Sequence, residues 1–363
     1  MSESQPKEVN TVTNLVDDRL FTFLAEENKK WLEIDSRMAE IVSYLQAVVG
    51  SGGKRLRALF CYWSWYGAKT VETPEFVPSD HPDELAEIID VCAALELLHV
   101  FALVHDDIMD DSGMRRGQTT VHKQQIQRFV DQGWTGESRR FGESVAILVG
   151  NLAHVYSDGL MANAPLEARM VWMDLRTEAN LGQYLDLRSA AALDLDFSTA
   201  RQVAWYKSAL YTVYQPMQLG LVMSSNVTSE MREQVRNFSK PLGRAFQLRD
   251  DYLGIFGDEE QLGKPIGDDL REAKPTEMMA YALQRADNSQ KLLLSRVGSS
   301  DLSGSDIAAI SEVIRATGAV GYVEDEIDSL VGSAERVLEA MPYSTEAKQA
   351  LLSFAQYVAS RNV

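Results

Sequence analysis

The chain is short of cysteine, of histidine and of positive charge. Cys61 and Cys92 are the only cysteines among 363 residues, too few for a disulfide framework, and both sit in apolar helical patterns. They read as buried free thiols of a reducing compartment. His99, His105 and His122 have no companion thiols and stand at no metalloprotease spacing, which argues against zinc. Lysine and arginine number 35 against 53 aspartates and glutamates, a net charge of −18 that repels nucleic acid and anionic lipid over the average surface. Any anionic ligand must therefore be drawn in by local basic groups. No charge-free apolar run reaches the length of a bilayer crossing, and the opening MSESQPKEVNTVTN lacks the apolar stretch of a signal peptide. The expectation is a soluble cytoplasmic protein with residues 1–14 as a disordered polar tail.

Alternating strand patterns are essentially missing too, and what fills their place is helical periodicity. It runs over Leu15–Val49, again over Gly142–Met161, Leu166–Ala192, Thr199–Ser224, Ser229–Phe256 and Glu277–Val297, and from Ser305 to the end. Leu85–Val104 is apolar nearly all round, the mark of a helix enclosed by others. These patterns predict one all-α domain over residues 15–363, a large bundle of long helices around that central helix. No internal repeat or inter-domain linker stands out.

The central helix runs into LLHVFALVHDDIMDDSGMRRGQTTVH, from Leu97 to His122, where oil, acid and base meet within a few turns. At 100° per residue His99, Asp106 and Asp110 share one face, with Asp107 on its shoulder. Carboxylates one turn apart at the end of a buried helix repel each other unless a cation sits between them. A second acidic pair, Asp250 and Asp251, also ends an apolar helical run, with Gln247 one turn earlier. It is followed by a loop punctuated by Gly254, Gly257, Gly263 and Gly267 that carries Lys264, Asp268, Asp269 and Lys274. Between the two, Lys207 and Ser208 fall on a helix with Pro216 as a kink two turns later. Upstream, GSGGKRLR (Gly50–Arg57) reads either as an oxyanion cradle of glycines, cations and a helix start or as a joint between helices with a solvated basic end.

Aspartate oxygens without histidine or thiolate partners suit magnesium, a hard ion that keeps waters and takes further oxygens from phosphate. Two such sets, matched with Gly-Gly-Lys-Arg and Arg-Arg elements, suggest a diphosphate clamped between metals. No Ser/His/Asp or Cys/His arrangement competes with that reading.

From GGKRLR to GDDLREAKPT the sequence resembles the trans-isoprenyl diphosphate synthases. The family's aspartate-rich DDxxD motif is matched by Asp106-Asp107-Ile108-Met109-Asp110, followed by Arg115-Arg116-Gly117. Its second copy is matched by Asp250-Asp251-Tyr252-Leu253-Gly254, where the last aspartate is missing. The resemblance implies an all-α isoprenoid synthase fold and magnesium-dependent head-to-tail condensation of isopentenyl diphosphate with an allylic diphosphate. It also implies that Asp106, Asp110, Asp250 and Asp251 hold about three magnesium ions, and that Arg115, Lys207, Lys264 and Lys274 clamp the allylic diphosphate. Lys54, Arg57, His99 and Arg116 then resemble the isopentenyl diphosphate site, and Ser208 and Gln247 the groups facing the reacting carbons. Phe101 beside Ala102, upstream of the first motif, resembles the pocket floor of enzymes that stop at twenty carbons, with fifteen as the rival length. Helical angle also allows Phe101 to be plain core. A homodimer is the family expectation. A terpene cyclase would show an asparagine-serine-glutamate metal motif, which is lacking, and a non-catalytic partner subunit would show eroded motifs.

Overall fold

Helix α1 (Lys7–Ile34) begins inside the stretch expected to be a disordered tail. Val12, Val16, Leu20 and Leu24 repeat every fourth residue and are all buried, a narrow stripe that the surrounding polar residues disguise in the sequence. The computed structural model describes residues 7–225, 227–257, 266–299 and 301–360. Among these the regular structure is helical apart from one hairpin of two-residue strands. The chain divides into two compact units where the sequence shows no linker. One comprises the described residues up to Tyr62 with Glu75–Leu166, the other Trp63–Pro74 with the described residues from Glu167 onward. Helix α3 (Leu56–Glu72) contributes to both.

In the first unit, α4 (Pro82–Met109) lies against α6 (Ser138–Leu160), with α1 and α2 (Ser36–Gly50) beside it. Pro82 opens α4 and Asp83 and Glu84 complement its dipole. By length and hydropathy α4 could cross a membrane, but 67% of its most apolar window is buried inside the protein, as for a core helix. The helix stops where apolar residues give out. Asp110 caps it, its N–H donating to the Asp106 carbonyl at 2.8 Å, and Asp111 turns the chain with a left-handed φ of 51°. A hairpin follows, β1 (Met114–Arg115) and β2 (Gln118–Thr119), with Arg115 opposite Gln118. Its two-residue turn has positive φ at both Arg116 (52°) and Gly117 (72°), the pattern that matches strand twist. Helix α5 (Val121–Asp131) then packs on α6.

In the second unit, α7 (Leu166–Ala192) is followed by α8 (Phe197–Val203), a π-helix over Ala204–Tyr214 and α9 (Gln215–Val222). Pro216 sits in the first turn of α9, so the departure from α-helical winding lies in the turns before it, where a proline's missing N–H and its ring act. Two glycines on neighbouring helices account for the room the wide turns need. A Cβ on Gly182 of α7 would lie 2.6 Å from the Lys207 nitrogen. One on Gly243 of α10 (Ser229–Phe256) would lie 2.6 Å from the Ala209 Cβ. After α10 come α11 (Asp268–Arg271), α12 (Glu277–Arg285), α13 (Asn288–Leu294), α14 (Gly304–Ala316), α15 (Ala319–Ala340) and α16 (Thr345–Ser360).

Candidate active site

In the first unit the end of α4, the hairpin and the Gly50–Arg57 loop supply the charged groups. Arg115 grips the shoulder residue of the first motif. Its Nε and Nη2 lie 2.7 and 2.6 Å from Asp107 Oδ1, and Nη2 lies 3.5 Å from Asp106 Oδ2. Asp107 is only 5% exposed, and burial pushes its carboxyl up to about 6 despite the guanidinium. Asp106 and Asp110 are more accessible than Asp107 and stand one helical turn apart. The structure thus separates the motif into two accessible carboxylates and one inward anchor.

The basic loop divides in the same manner. Arg55 turns inward, with Nε 2.8 Å from Asp17 Oδ1, Nη1 3.5 Å from Glu96 Oε2 and Nη2 donating to the Val49 carbonyl at 3.1 Å. It ties the loop to α1, α2 and α4. Lys54 is exposed and Arg57 half-buried. Arg116 donates to the Gly52 carbonyl, and a Cβ on Gly53 would press on its guanidinium at 3.1 Å, so the glycine leaves it space. His99 is the focus of this group. Burial, then Arg57, Arg116, Arg115 and Arg55, hold its imidazole well below the ordinary range, so it is neutral at physiological pH. Burial, followed by Arg55, also lowers Arg116, with Arg57 and Arg115 adding to it and Glu96 opposing it. Positive charge gathered this closely would be stabilised on binding an anion, and the Arg fork suits phosphate oxygens.

In the second unit, Lys207 lies in the π-helix with Nζ 2.5 Å from Asp186 Oδ2, a buried carboxylate of α7, and Ser208 follows it, half-buried. At the end of α10 Asp250 is half-buried and Asp251 buried. Gln247 Nε2 donates to Asp251 Oδ1 at 2.6 Å, so its amide is committed to that carboxylate. Burial, reinforced by Asp269, Asp250 and Glu277, pushes Asp251 well above the usual carboxylate range against that hydrogen bond. Lys274 Nζ lies 3.2 Å from Asp269 Oδ1 and 2.7 Å from Glu272 Oε2. Lys264 lies outside the described residues. Behind this end, buried Glu277 accepts from Arg201 Nε at 3.1 Å and from Arg244 Nε at 2.8 Å and Nη2 at 2.6 Å, joining α8, α10 and α12.

Phe101 and Ala102 part company. Ala102 lies one turn before Asp106 on its face, whereas the Phe101 ring lies 4.6 Å from the His105 ring and 4.9 Å from that of His154 on α6. Asp186, Glu96 and Glu277 were invisible to sequence reasoning as partners of basic residues. A buried carboxylate within a helical pattern is their signal, and it names no partner. Among the described residues no three acidic, histidine or cysteine side chains gather closely enough to hold an ion alone. The paired aspartate oxygens at each of the two helix ends fit magnesium completed by water and diphosphate.

The polyprenyl synthetase family model matches residues 38–314. Geranylgeranyl diphosphate synthase of Saccharolobus solfataricus is 30% identical over 86% of this chain and 87% of its own. All-trans-nonaprenyl-diphosphate synthase of Rhodobacter capsulatus is 29% identical over 90% and 91%. A geranylgeranyl pyrophosphate synthase from Corynebacterium glutamicum, solved with isoprenyl diphosphate and magnesium, superposes with a TM-score of 0.89 at 33% identity, covering 96% of this chain and 98% of that one. The helical chain with two aspartate-ended helices is a prenyltransferase and belongs to the polyprenyl synthetase family.

Proposed function

We propose that this prenyltransferase joins isopentenyl diphosphate to an allylic diphosphate, with dimethylallyl, geranyl or farnesyl as starter, and releases chiefly the twenty-carbon geranylgeranyl diphosphate. The carrying observation is the contrast within the first unit between Asp106 and Asp110, which call for a cation, and the arginines around His99, which call for an anion. Such a pair of environments suits one diphosphate that arrives with metal and one that arrives bare.

Asp106, Asp110, Asp250 and Asp251 are the proposed ligands of about three magnesium ions, with Asp250 ahead of the buried Asp251. Bound magnesium would neutralise the negative charge that grows on the leaving diphosphate. Arg115, Lys207, Lys264 and Lys274 hold that diphosphate and stabilise it as the allylic C–O bond breaks. Lys54, Arg57, Arg116 and neutral His99 hold the second diphosphate and so aim the isopentenyl double bond. Ser208 and Gln247 face the reacting carbons, and the apolar part of α4 keeps water from the carbocation. The attacking alkene forms the new C–C bond, and the proton lost from carbon passes to the departed diphosphate. No side-chain nucleophile enters.

Exposed Met170, Met173, Leu181 and Tyr184 form an apolar stripe along α7, in keeping with a homodimer, and a cytoplasmic location fits the free thiols. Exhaustive feeding of isopentenyl diphosphate with farnesyl diphosphate and magnesium, followed by chromatography, tests the reaction. Elongation to twenty carbons is expected; cyclised hydrocarbon or no turnover would overturn the reading, and a fifteen-carbon end product from shorter starters would overturn the length. The Phe101→Ala variant should lengthen the product if the ring limits the tail. Unchanged length would leave Phe101 as packing against α6.

A further inference from the structure

Glu277 is the first residue of α12 and almost wholly buried, at 2% exposed, yet neither aspartate motif includes it. Its carboxylate gathers donors from three other helices. Arg244 of α10 grips it with two nitrogens, Nε on Oε1 at 2.8 Å and Nη2 on Oε2 at 2.6 Å. Arg201 Nε of α8 and the Tyr322 hydroxyl of α15 donate to Oε2 at 3.1 and 3.3 Å. Arg244 Nη2 also lies 2.7 Å from Glu326 Oε2 on α15. Two guanidiniums meet two carboxylates, so the cluster is neutral as it stands and holds its helices together without a ligand.

Three of the elements it joins lead to proposed site residues. Arg201 stands six residues before Lys207, Arg244 six before Asp250, and Glu277 follows Lys274 by three. The spacer between Lys274 and Glu277 is stiff. Pro275 has a fixed φ, and Thr276 is a buried helix cap whose Oγ1 accepts from the Met279 N–H at 3.2 Å. At the other end of this loop the Gly267 N–H donates to the Gly254 carbonyl at 3.1 Å. The stretch from Gly267 to Glu277 is thus fastened to α10 at positions 254 and 244, on either side of Asp250, over about 15 Å of helix at 1.5 Å per residue. We propose that Glu277 is a positioning residue for the allylic diphosphate: its carboxylate holds α8, α10 and the loop before α12 in one register and so sets Lys274 and Lys207 against Asp250. This rests on the reading that those three residues serve the allylic diphosphate. Lys54, Arg57, His99 and Arg116, read as the isopentenyl diphosphate site, belong to the first unit, and no member of the cluster does. The effect of Glu277 is therefore confined to one substrate.

Steady-state kinetics of the full chain, with each substrate varied in turn, tests this. Glu277→Gln keeps the size and removes the charge. It should raise KM for farnesyl diphosphate about 10-fold while KM for isopentenyl diphosphate stays within about 2-fold. Glu277→Asp restores the charge on a shorter stem and should recover part of the loss. Arg201→Gln cuts only the tie to α8, at a half-exposed side chain, and should raise the farnesyl diphosphate KM about 3-fold. Should Glu277→Gln fail to fold, the Arg201→Gln value decides, and no change in it overturns the proposal. A folded Glu277→Gln protein with a lowered melting temperature and both KM values unchanged, or both raised alike, would also overturn it and leave the cluster as a structural tie. Lys274→Gln separates the two levels. An unchanged farnesyl diphosphate KM in that variant removes Lys274 from the allylic site and the reading fails; a raised one beside an unaffected Glu277→Gln removes only the role of Glu277.

Discussion

Helices α4 and α10 are both 28 residues long and both end in paired aspartates, yet they finish the job differently. At α4 the second residue of the pair is tied to an arginine delivered by the next hairpin, and the carboxylate one turn on belongs to the helix itself. At α10 the second residue is tied to a glutamine of its own helix, the position one turn on is glycine, and the nearest further carboxylate arrives with a lysine from a later turn. Acidic groups can thus be gathered within one helix or brought together from two elements. Only the first kind is visible as a motif.

Removing the leading carboxylate should break both sites most severely. Asp106→Ala and Asp250→Ala are each expected to lower kcat by at least about 10³-fold with little change in melting temperature, measured by steady-state elongation. A variant of either that elongates normally would show that the two helix ends do not share the work. Next in size is the anchor of the α4 site. Asp107→Asn loosens Arg115 and should lower kcat/KM for the allylic substrate about 10- to 100-fold, while Asp106 and Asp110 still carry the metal response.

The same substitution changes how stability depends on pH. Asp107 titrates near 6 when folded against an ordinary value of 3.8, so between those values the folded state holds a proton that the unfolded state has lost. Its contribution therefore falls as pH rises from about 4 to about 6, the reverse of a carboxylate whose pKa a salt bridge depresses, by up to about 3 kcal/mol. Urea unfolding of Asp107→Asn should lack this part of the slope; the same slope in both proteins would contradict the buried assignment. The smallest effect belongs to Asp251→Asn. Asp251 stands buried behind Asp250 with Gln247 bound to one of its oxygens, so removing its charge should lower turnover only about 3- to 10-fold. A collapse as deep as that of Asp250→Ala would erase the contrast with Asp250.

The sequence makes both helix ends legible because each turns from apolar to acidic within one turn, a change that local pattern records well. It does not separate Arg55 from Lys54 and Arg57, since three cations within four residues look alike until Asp17 and Glu96 draw one of them inward. The start of α1 escapes notice because Val12 and Val16 are sparse among polar residues and only their burial connects them to Leu20. The π-helix keeps a helix-like hydrophobic period, and the glycines that leave it room, Gly182 and Gly243, lie on other helices. The contact of Asp269 with α10 is equally hidden: it depends on a volume beside Gly254, and volumes are not written along a chain.

Arg115 and Arg116 are neighbours in sequence, but the hairpin gives them different company. Arg115 meets carboxylates, whereas Arg116 meets a backbone carbonyl and other cations. If the two arginines serve the two diphosphates as proposed, a diphosphate without metal is welcomed at Arg116 and opposed at Asp106. On that reading the turn at Arg116 and Gly117 would make the protein a coincidence detector, one that admits the reactive allylic ester only in the company of its cation while the inert partner can wait in place.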